Sequence, residues 1–220
     1  SSGIATIGVE DSGENAIVVV AGANGQVTPA DVAGAESLIS QASAVLVQLE
    51  IPEESVVAAV ALARRCGVRV VLNPAPAPKA LPPELFKVDV ICPNETEAAA
   101  ITGLSGSGLE GAFRQSQWLT ERGAGLAIVT LGAQGAVYCE RDKQPVHVPP
   151  FEVQPVDTTA AGDAFAGALT VALSEGAQAA TAVRMAAAAG ALATTRPGAQ
   201  PGMPSRQEVE SLINTQKGMS

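Results

Sequence analysis

The sequence is poor in aromatic residues and in basic residues. Aromatics make up 3% of the 220 residues, so the core must consist mostly of Ala, Val, Leu and Ile. Lys and Arg together number 13 against 22 Asp and Glu, which gives a net charge of -9. This acidity disfavours nucleic acid or an anionic membrane as a partner. Any phosphate group must therefore be bound by local features of the fold.

Cysteines and long apolar runs are also scarce. Cys66, Cys92 and Cys139 form no CxxC pair, so neither a disulfide framework nor a zinc cage is expected, and a reducing, cytoplasmic location is predicted. No apolar run reaches the roughly 18 residues that a membrane-spanning helix needs, which predicts a soluble protein. The first residues carry no targeting pattern and resemble the interior of a longer chain.

The apolar pattern predicts an α/β protein. Two β-rich runs, 4–9 and 16–21, flank a polar turn and predict a hairpin. After it, continuous apolar strands alternate with helices, which is typical of a parallel sheet covered on both faces. The predicted strands are 44–49, 68–72, 88–92 and 126–131, and the predicted helices are 29–42, 53–66, 94–102 and 109–122.

The remainder of the chain predicts an edge hairpin followed by helices. The segments 133–140 and 146–148 are expected to pair antiparallel at the edge of the sheet. Helices are predicted at 161–174, 179–194 and 206–214. We therefore expect one α/β domain over residues 25–220, preceded by a β appendage over residues 1–24.

One segment has the pattern of an anion site. Ala160, Ala161 and Gly162 lie where an extended segment becomes a helix, so free backbone N–H groups and the positive end of the helix dipole face one point. Asp163 follows in the first turn, where a carboxylate can accept a proton from a hydroxyl. The alternative is that Asp163 caps the helix and the small residues only permit close packing.

The run 157–163, Asp-Thr-Thr-Ala-Ala-Gly-Asp, resembles the C-terminal signature of the ribokinase-like (PfkB-type) carbohydrate kinases. The Ala160-Ala161 pair, in place of the commoner Gly-Ala, resembles the ribose-specific members. Further matches agree in order and spacing: Gly22-Ala23-Asn24, Gln48-Leu49-Glu50, Asn73-Pro74-Ala75-Pro76-Ala77, Pro93-Asn94-Glu95-Thr96-Glu97, Val129-Thr130-Leu131-Gly132-Ala133-Gln134-Gly135 and Gly198-Ala199-Gln200-Pro201.

The resemblance covers about the C-terminal two thirds of a family member and begins within its lid hairpin. It implies a three-layer α/β/α sandwich with a mostly parallel sheet, in which residues 1–24 are part of a β lid and residues 25–220 bind nucleotide. It also implies Mg·ATP-dependent phosphorylation of D-ribose at its 5-hydroxyl by a homodimer that packs lid against lid. Two alternatives stay open: a kinase of another sugar or a nucleoside, and a truncated nucleotide-binding module without activity.

The resemblance assigns the reacting groups. Asp163 would be the base, and the N–H groups of Ala161, Gly162 and Asp163 would hold the transferring phosphoryl. Glu50, at the end of a predicted strand, would bind sugar hydroxyls, since α/β sheets place ligands at the carboxyl ends of their strands. Asn73, after the next strand, matches a residue near the phosphates, and a turn Asn is its alternative.

The resemblance also assigns nucleotide and Mg²⁺ contacts. Asn94 and Glu97 would place Mg²⁺ through water, together with the triphosphate; the alternative is an acidic helix N-terminus. Thr130, Gly132 and Gly135 would form the nucleotide loop, although Gly at strand ends is usually turn chemistry.

A K⁺ site is implied as well. Its oxygen ligands would be the Asp157 side chain and the backbone carbonyls of four residues, Thr159, Ala193, Arg196 and Gly198. Family members add a Ser hydroxyl at the position of Gly202, which has no side chain. The alternative is that Asp157 hydrogen-bonds its own turn. His147 receives no role, and Phe113 and Trp118 are expected in the core.

Overall fold

A computed structural model describes residues 1–9 and 15–216. Its strands are β1 Ile4–Val9, β2 Asn15–Val20, β3 Ala44–Val47, β4 Arg69–Leu72, β5 Val90–Ile91, β6 Leu126–Thr130, β7 Ala136–Glu140 and β8 Val146–Val148. Its helices are α1 Pro29–Gly34, α2 Glu36–Ile39, α3 Glu53–Arg65, α4 Glu95–Thr102, α5 Gly108–Glu121, α6 Ala161–Ser174, α7 Ala179–Ala193, α8 Ala199–Gly202 and α9 Arg206–Thr215.

The described strands form two sheets. The larger has the order β3-β4-β5-β6-β7-β8, and its first four strands are parallel. β7 runs antiparallel to both β6 and β8, and its pairing with β8 at the edge confirms the prediction from the sequence. Because β3 to β6 are parallel, their carboxyl ends lie at one edge of the sheet.

Apolar side chains cover both faces of this sheet. Val70 and Leu72 of β4 pack with α3 and α5 on one face, whereas Val71 packs with α6 and α7 on the other. This alternation follows from the period of two along a strand. All three side chains are fully buried, and the result is a helix, sheet, helix arrangement. Leu119 is buried, and Phe113 and Trp118 pack partly buried against these clusters.

β1 and β2 form a separate antiparallel ribbon, in register from Ile4 opposite Val20 to Val9 opposite Asn15. The turn predicted between them lies mostly outside the described residues. Val19 and Val20 are adjacent, so they face opposite sides of the ribbon, yet they are 66% and 61% exposed. Both faces of the ribbon are therefore uncovered at this end.

Two predicted strands are shorter in the structure: that at 44–49 ends at Val47, and that at 88–92 is only Val90–Ile91. Two further predicted elements differ from the structure. The helix predicted at 29–42 begins as expected, with Pro29 at its first position and a reciprocal capping box between Thr28 and Asp31. It then divides at Ala35 into α1 and α2, because Gly34 favours the helix weakly and Ala35 takes a non-helical conformation. The strand predicted at 133–140 starts only at Ala136, since residues 132–134 form a 3-10 turn. The sequence did not predict the short helix α8.

Among residues 1–9 and 15–216, no helix is both long enough and apolar enough to cross a bilayer.

Candidate active site

A cavity of about 240 Å³ opens at the carboxyl edge of the parallel sheet, beside the N-terminus of α6. Its lining combines the loops after β3, β4 and β5 with the first turn of α6. It brings together eight residues that the sequence proposed for the site: Glu50, Asn73, Asn94, Glu97 and Thr130 from the sheet side, and Ala161, Gly162 and Asp163 from the helix. It also includes Ala160 of the expected anion turn, and residues to which the sequence assigned no role: Gln48, Ala75, Cys92, Thr158 and Phe165.

The turn into α6 has the conformation of an anion site. Ala160 adopts a left-handed conformation with φ 59° and ψ 15°, which directs the following N–H groups outward from the helix end. The Ala161 N–H donates to the carbonyl of Thr158 over 3.3 Å. The N–H groups of Gly162 and Asp163 have no acceptor among the described residues, and a Cβ at Gly162 would meet only open space. Two free donors therefore face the cavity.

Asp163 is oriented by a chain of amide hydrogen bonds. Gln48 Nε2 donates to Asp163 Oδ1 over 3.1 Å and to Asn73 Oδ1 over 3.3 Å. Asn73 Nδ2 in turn donates to the carbonyl of Cys92 over 2.8 Å. Because that carbonyl accepts only, both amide orientations are determined, and Gln48 must present its nitrogen to the carboxylate. The chain joins the ends of β3, β4 and β5 to α6.

Sequence reasoning missed the role of Gln48. It lies in a matched motif directly after β3, but the carboxylate of Glu50 drew the assignment because it carries obvious chemistry. Glu50 is exposed and borders the same cavity. The position of Gln48 at the carboxyl end of a parallel strand was the available signal.

Asn94 and Glu97 form a reciprocal cap at the start of α4. Asn94 N–H donates to Glu97 Oε2, and Glu97 N–H donates to Asn94 Oδ1, both over 2.8 Å. The cap leaves Glu97 Oε1 and Asn94 Nδ2 without a partner in the described part of the chain. Burial raises the pKa of the Glu97 carboxyl, and the hydrogen bond from Asn94 offsets part of that rise. A partly desolvated carboxylate here favours a cation in the cavity.

Burial also raises the pKa of the Cys92 thiol, and the nearby charge of Glu97 raises it further. Cys92 is therefore a neutral thiol that packs beneath the site. Since only the thiolate form is nucleophilic, it is not a candidate nucleophile.

The last residue of β6, Thr130, lines the cavity, and its N–H donates to the carbonyl of Pro93 over 3.1 Å. Gly132 and Gly135 lie outside the cavity lining. A Cβ at Gly135 would come within 2.2 Å of the Val148 carbonyl, so close packing on β8 requires this glycine. Gly132 faces open space. His147, in β8, contacts the Gln134 carbonyl at 2.8 Å and lies outside the cavity lining.

Asp157 ties the site loop to the segment after α7. Its Oδ1 accepts the Thr159 N–H over 2.9 Å, and its Oδ2 accepts the Gly198 N–H over 2.8 Å. These hydrogen bonds, that of Gly198 foremost, lower the pKa of Asp157 to about 2. The hydrogen bond within the turn agrees with the alternative considered from the sequence, and the bond to Gly198 goes beyond it.

Two of the other expected K⁺ ligands, the carbonyls of Ala193 and Arg196, approach Gly202, whereas the Gly198 carbonyl accepts the Gly202 N–H over 3.1 Å. A Cβ built at Gly202 would lie 3.2 Å from the Ala193 carbonyl oxygen and 3.5 Å from that of Arg196. Carbonyl oxygens converge here beside a buried glycine, and oxygen donors are what a hard cation requires. Among the described residues no group of three His, Cys, Asp or Glu side chains could hold a metal ion. A Mg²⁺ ion would therefore rely on water and phosphate oxygens as well, as this ion usually does.

Known proteins resemble the chain along nearly its whole length. The model of the pfkB family carbohydrate kinases matches residues 1–206. The ribokinase of Haemophilus influenzae is 39% identical over 213 residues, which are 96% of this chain and 69% of that protein. A bifunctional ribokinase/ribose-5-phosphate isomerase A of Fructilactobacillus sanfranciscensis is 40% identical over 215 residues, 97% of this chain. Here the match covers 39% of the relative.

The structure of Arabidopsis thaliana ribokinase complexed with ribose and ATP superposes with a TM-score of 0.86 at 31% identity, over 96% of this chain and 69% of that one. This likeness confirms the ribokinase-like three-layer α/β/α fold and its mostly parallel sheet. The chain thus spans between about two fifths and two thirds of the length of these relatives. The match of the family model and the extent of the identities show that the chain belongs to the pfkB family of carbohydrate kinases.

Proposed function

We propose that the site transfers the γ-phosphoryl group of ATP to the 5-hydroxyl of D-ribose, giving ADP and ribose 5-phosphate. The observation that carries this proposal is the placement of the Asp163 carboxylate beside two free N–H groups at a helix N-terminus, in a cavity at the carboxyl edge of the sheet. The choice of ribose rests on the ribokinase relatives, one of which is a complex with ribose and ATP.

The chain's residues would divide the work as follows. Asp163 accepts the proton of the sugar hydroxyl while that oxygen forms its bond to the γ-phosphorus and the bond to the ADP oxygen breaks. The N–H groups of Gly162 and Asp163 donate to the oxygens of the transferring group, where negative charge collects. Gln48 holds the carboxylate of Asp163 in position. Phosphoryl transfer needs little else from the protein than in-line positioning and charge compensation.

Glu50, Asn73 and Thr130 border the cavity. Glu50 would bind sugar hydroxyls, Asn73 would lie near the phosphates, and Thr130 would contact the nucleotide. Gly132 and Gly135 would follow the nucleotide outside the cavity. Glu97, with its free Oε1, and Asn94 would hold the water shell of a Mg²⁺ ion, which supplies charge compensation to the phosphates when bound. Asp157 and the carbonyls of Thr159, Ala193, Arg196 and Gly198 would take K⁺ beside the anion turn.

The β1–β2 ribbon would act as part of the sugar lid and as a dimer contact. A two-stranded ribbon is marginal alone in water, and Ile4, Val19 and Val20 are each more than 60% exposed. Packing against the ribbon of a second copy would cover these side chains.

The test compares wild type with Asp163→Asn in ATP turnover, using ribose, fructose and adenosine as acceptors, and measures ATP affinity in parallel. We expect turnover with ribose, a loss of kcat of about 10²–10⁴ in the variant and nearly unchanged ATP affinity. Asp142→Asn, in the exposed edge turn, controls for removal of a carboxylate. A variant that keeps more than about a tenth of kcat contradicts the base assignment. Binding of ATP by wild type without any turnover favours a nucleotide-binding module instead.

A further inference from the structure

We propose that the chain carries a second anion site at the amino ends of the parallel strands, opposite the candidate active site, and that it takes a small anion bearing two phosphate groups. A cavity of about 750 Å³ lies there, bordered by the segments that enter β4, β5 and β6. The candidate active site lies at the other ends of the same strands. β4 alone separates the two edges by about 10 Å, at roughly 3.3 Å per residue.

Four basic side chains border this cavity: Arg64, Arg69, Lys87 and Arg141. They are a large share of the 13 basic residues of an acidic chain. None of the four forms an ion pair among the described residues, whereas neighbouring bases do: Arg65 pairs with Glu36 over 3.4 Å and Lys143 with Glu140 over 3.0 Å. The cavity is thus a concentration of unpaired positive charge.

Backbone contacts join three of these side chains. Arg64 Nη1 donates to the Lys87 carbonyl over 2.7 Å. A Cβ built at Gly123 would lie 3.2 Å from the Lys87 Cγ, so the Lys87 side chain passes close to this residue. The φ of 129° at Gly123 favours glycine. The Arg141 guanidinium donates to the carbonyls of Gly123 and Ala124. Arg64, Lys87 and Arg141 therefore lie side by side.

These contacts orient the guanidinium groups without neutralising them. Arg64 uses one nitrogen on a carbonyl, which leaves Nε and Nη2 without a partner in the described part of the chain. Arg69 donates through Nη1 to the Leu173 carbonyl. Asp89, the acid of the cavity, directs Oδ2 to the Val70 N–H over 2.8 Å. The remaining donors are available to an anion.

The chemistry selects the class of anion. Guanidinium forks match the oxygens of phosphate in pairs, and an ammonium adds a point charge. Four basic side chains and the Asp89 carboxylate give the lining a net charge of three positive charges, which exceeds that of one phosphate monoester and favours two phosphate groups. The cavity volume falls in the range of roughly 300–1,000 Å³ that is usual for small-molecule sites. The net charge of -9 repels long polyanions such as nucleic acid.

Calorimetry with inorganic pyrophosphate tests the proposal on the 220-residue chain, with Arg64→Gln, Lys87→Gln and Arg141→Gln as variants. Each should weaken binding about five- to thirtyfold, because each removes a charged donor. Arg65→Gln is the matched control: it changes the adjacent residue of the same helix, and it should leave binding unchanged. Lys87 donates no side-chain hydrogen bond within the described residues, so its variant retains the fold.

Two further measurements separate this site from the anion turn of α6. Gly162→Ala places a methyl group in the open space beside the free N–H groups of that turn and should leave pyrophosphate binding at the second site intact. Glycerol 2-phosphate, with one phosphate, should bind more weakly than pyrophosphate. The proposal is overturned if pyrophosphate does not bind, if Gly162→Ala alone abolishes binding, if Arg65→Gln weakens it as much as Arg64→Gln does, or if the monoester binds equally well.

Discussion

Gln48 and Asp163 are joined by a hydrogen bond of 3.1 Å although 115 residues separate them in the chain. Gln48→Ala should therefore lower kcat by about ten- to hundredfold, since a hydrogen bond to a charged group contributes about 1.5–3 kcal/mol. ATP affinity should change little, because Gln48 contacts the proposed base. Gln41→Ala, which removes an exposed amide bonded within its own helix turn, is the matched control. An unchanged kcat in Gln48→Ala would contradict a positioning role.

Glu97→Gln should make the fold more stable while it weakens activity. Burial raises the pKa of this carboxyl above its ordinary 4.5, so its ionised form destabilises the folded chain at pH above that value. A glutamine keeps the cap on Asn94 without the charge. The stability gain, measured by urea unfolding, should be present at pH 7 and vanish as the pH falls below about 4.5.

The same variant should need more Mg²⁺ for half-maximal turnover. Glu110→Gln offers the control, because Glu110 occupies the corresponding first-turn position of α5 but is exposed and distant from the cavity. If Glu97→Gln is less stable than wild type at pH 7, desolvation does not dominate at this carboxyl.

The Asp157 carboxylate should make the free energy of unfolding depend on pH in the direction opposite to that of Glu97. Its pKa is lowered from 3.8 to about 2, so its stabilising effect is complete above about pH 5 and is lost as the pH falls towards 2. Asp157→Asn should be less stable than wild type at pH 7, and the two should converge near pH 2. Unfolding curves across this range check the prediction, with Asp142→Asn as the control. A constant difference at all pH values would exclude the ionised carboxylate as the cause.

Ala160 holds a left-handed conformation at φ 59° without being glycine. Ala160→Gly should stabilise the fold by about 0.5–1 kcal/mol, because the left-handed conformation costs an L-residue about 1–2 kcal/mol and the entropy of glycine offsets part of the gain. Ala161→Gly, one residue later in regular helix, should destabilise by about 0.5–1 kcal/mol. Chemical denaturation of the pair checks this, and a loss of stability in both would refute the argument.

Two variants of Gly202 distinguish the effect of an added oxygen ligand for K⁺ from the effect of a larger side chain. Gly202→Ser and Gly202→Ala place the same Cβ at 3.2 Å from the Ala193 carbonyl, but only serine adds a hydroxyl. Gly202→Ser should lower the KCl concentration needed for half-maximal thermal stabilisation and activity, relative to NaCl at equal ionic strength. If Gly202→Ala has the same effect, a hydroxyl ligand is not the reason. Absence of any K⁺ effect in wild type would remove the site.

The sequence predicted those parts of the fold that follow from local chemistry. The apolar runs located the parallel strands, and Thr28, Pro29 and Asp31 located the start of α1, because caps and strand periodicity depend on nearby residues. The break at Ala35 was missed because Ala35 itself gives no local signal and the one before it, Gly34, disfavours a helix only weakly.

The sequence predicted those parts of the candidate site that lie within one short motif. It did not predict contacts that depend on how distant elements pack together. The residues 160–163 predicted the turn from an extended segment into α6, and its role as an anion site stays a prediction. The hydrogen bond from Gln48 could not be predicted, since it depends on how β3 and α6 approach each other. Gly135 lies in a motif that suggested close approach to a nucleotide. A Cβ at this position would clash with the Val148 carbonyl, so packing within the fold already requires glycine there. The roles of Gly132 and Gly135 towards a nucleotide stay predictions.

The hydrogen bond from the Gly198 N–H to Asp157 restricts the length of the segment from Thr194 to Gly198 more than it restricts the types of residue in that segment. The donor is a main-chain group, so replacing a side chain in residues 194–197 leaves it in place, whereas inserting or deleting a residue moves it out of reach. The Val156 and Asp157 N–H groups bind the Thr194 carbonyl over 2.7 and 3.0 Å, which anchors the other end of the same short segment. Engineered insertions should therefore be tolerated in the exposed turn near Asp142 and rejected between Thr194 and Gly198.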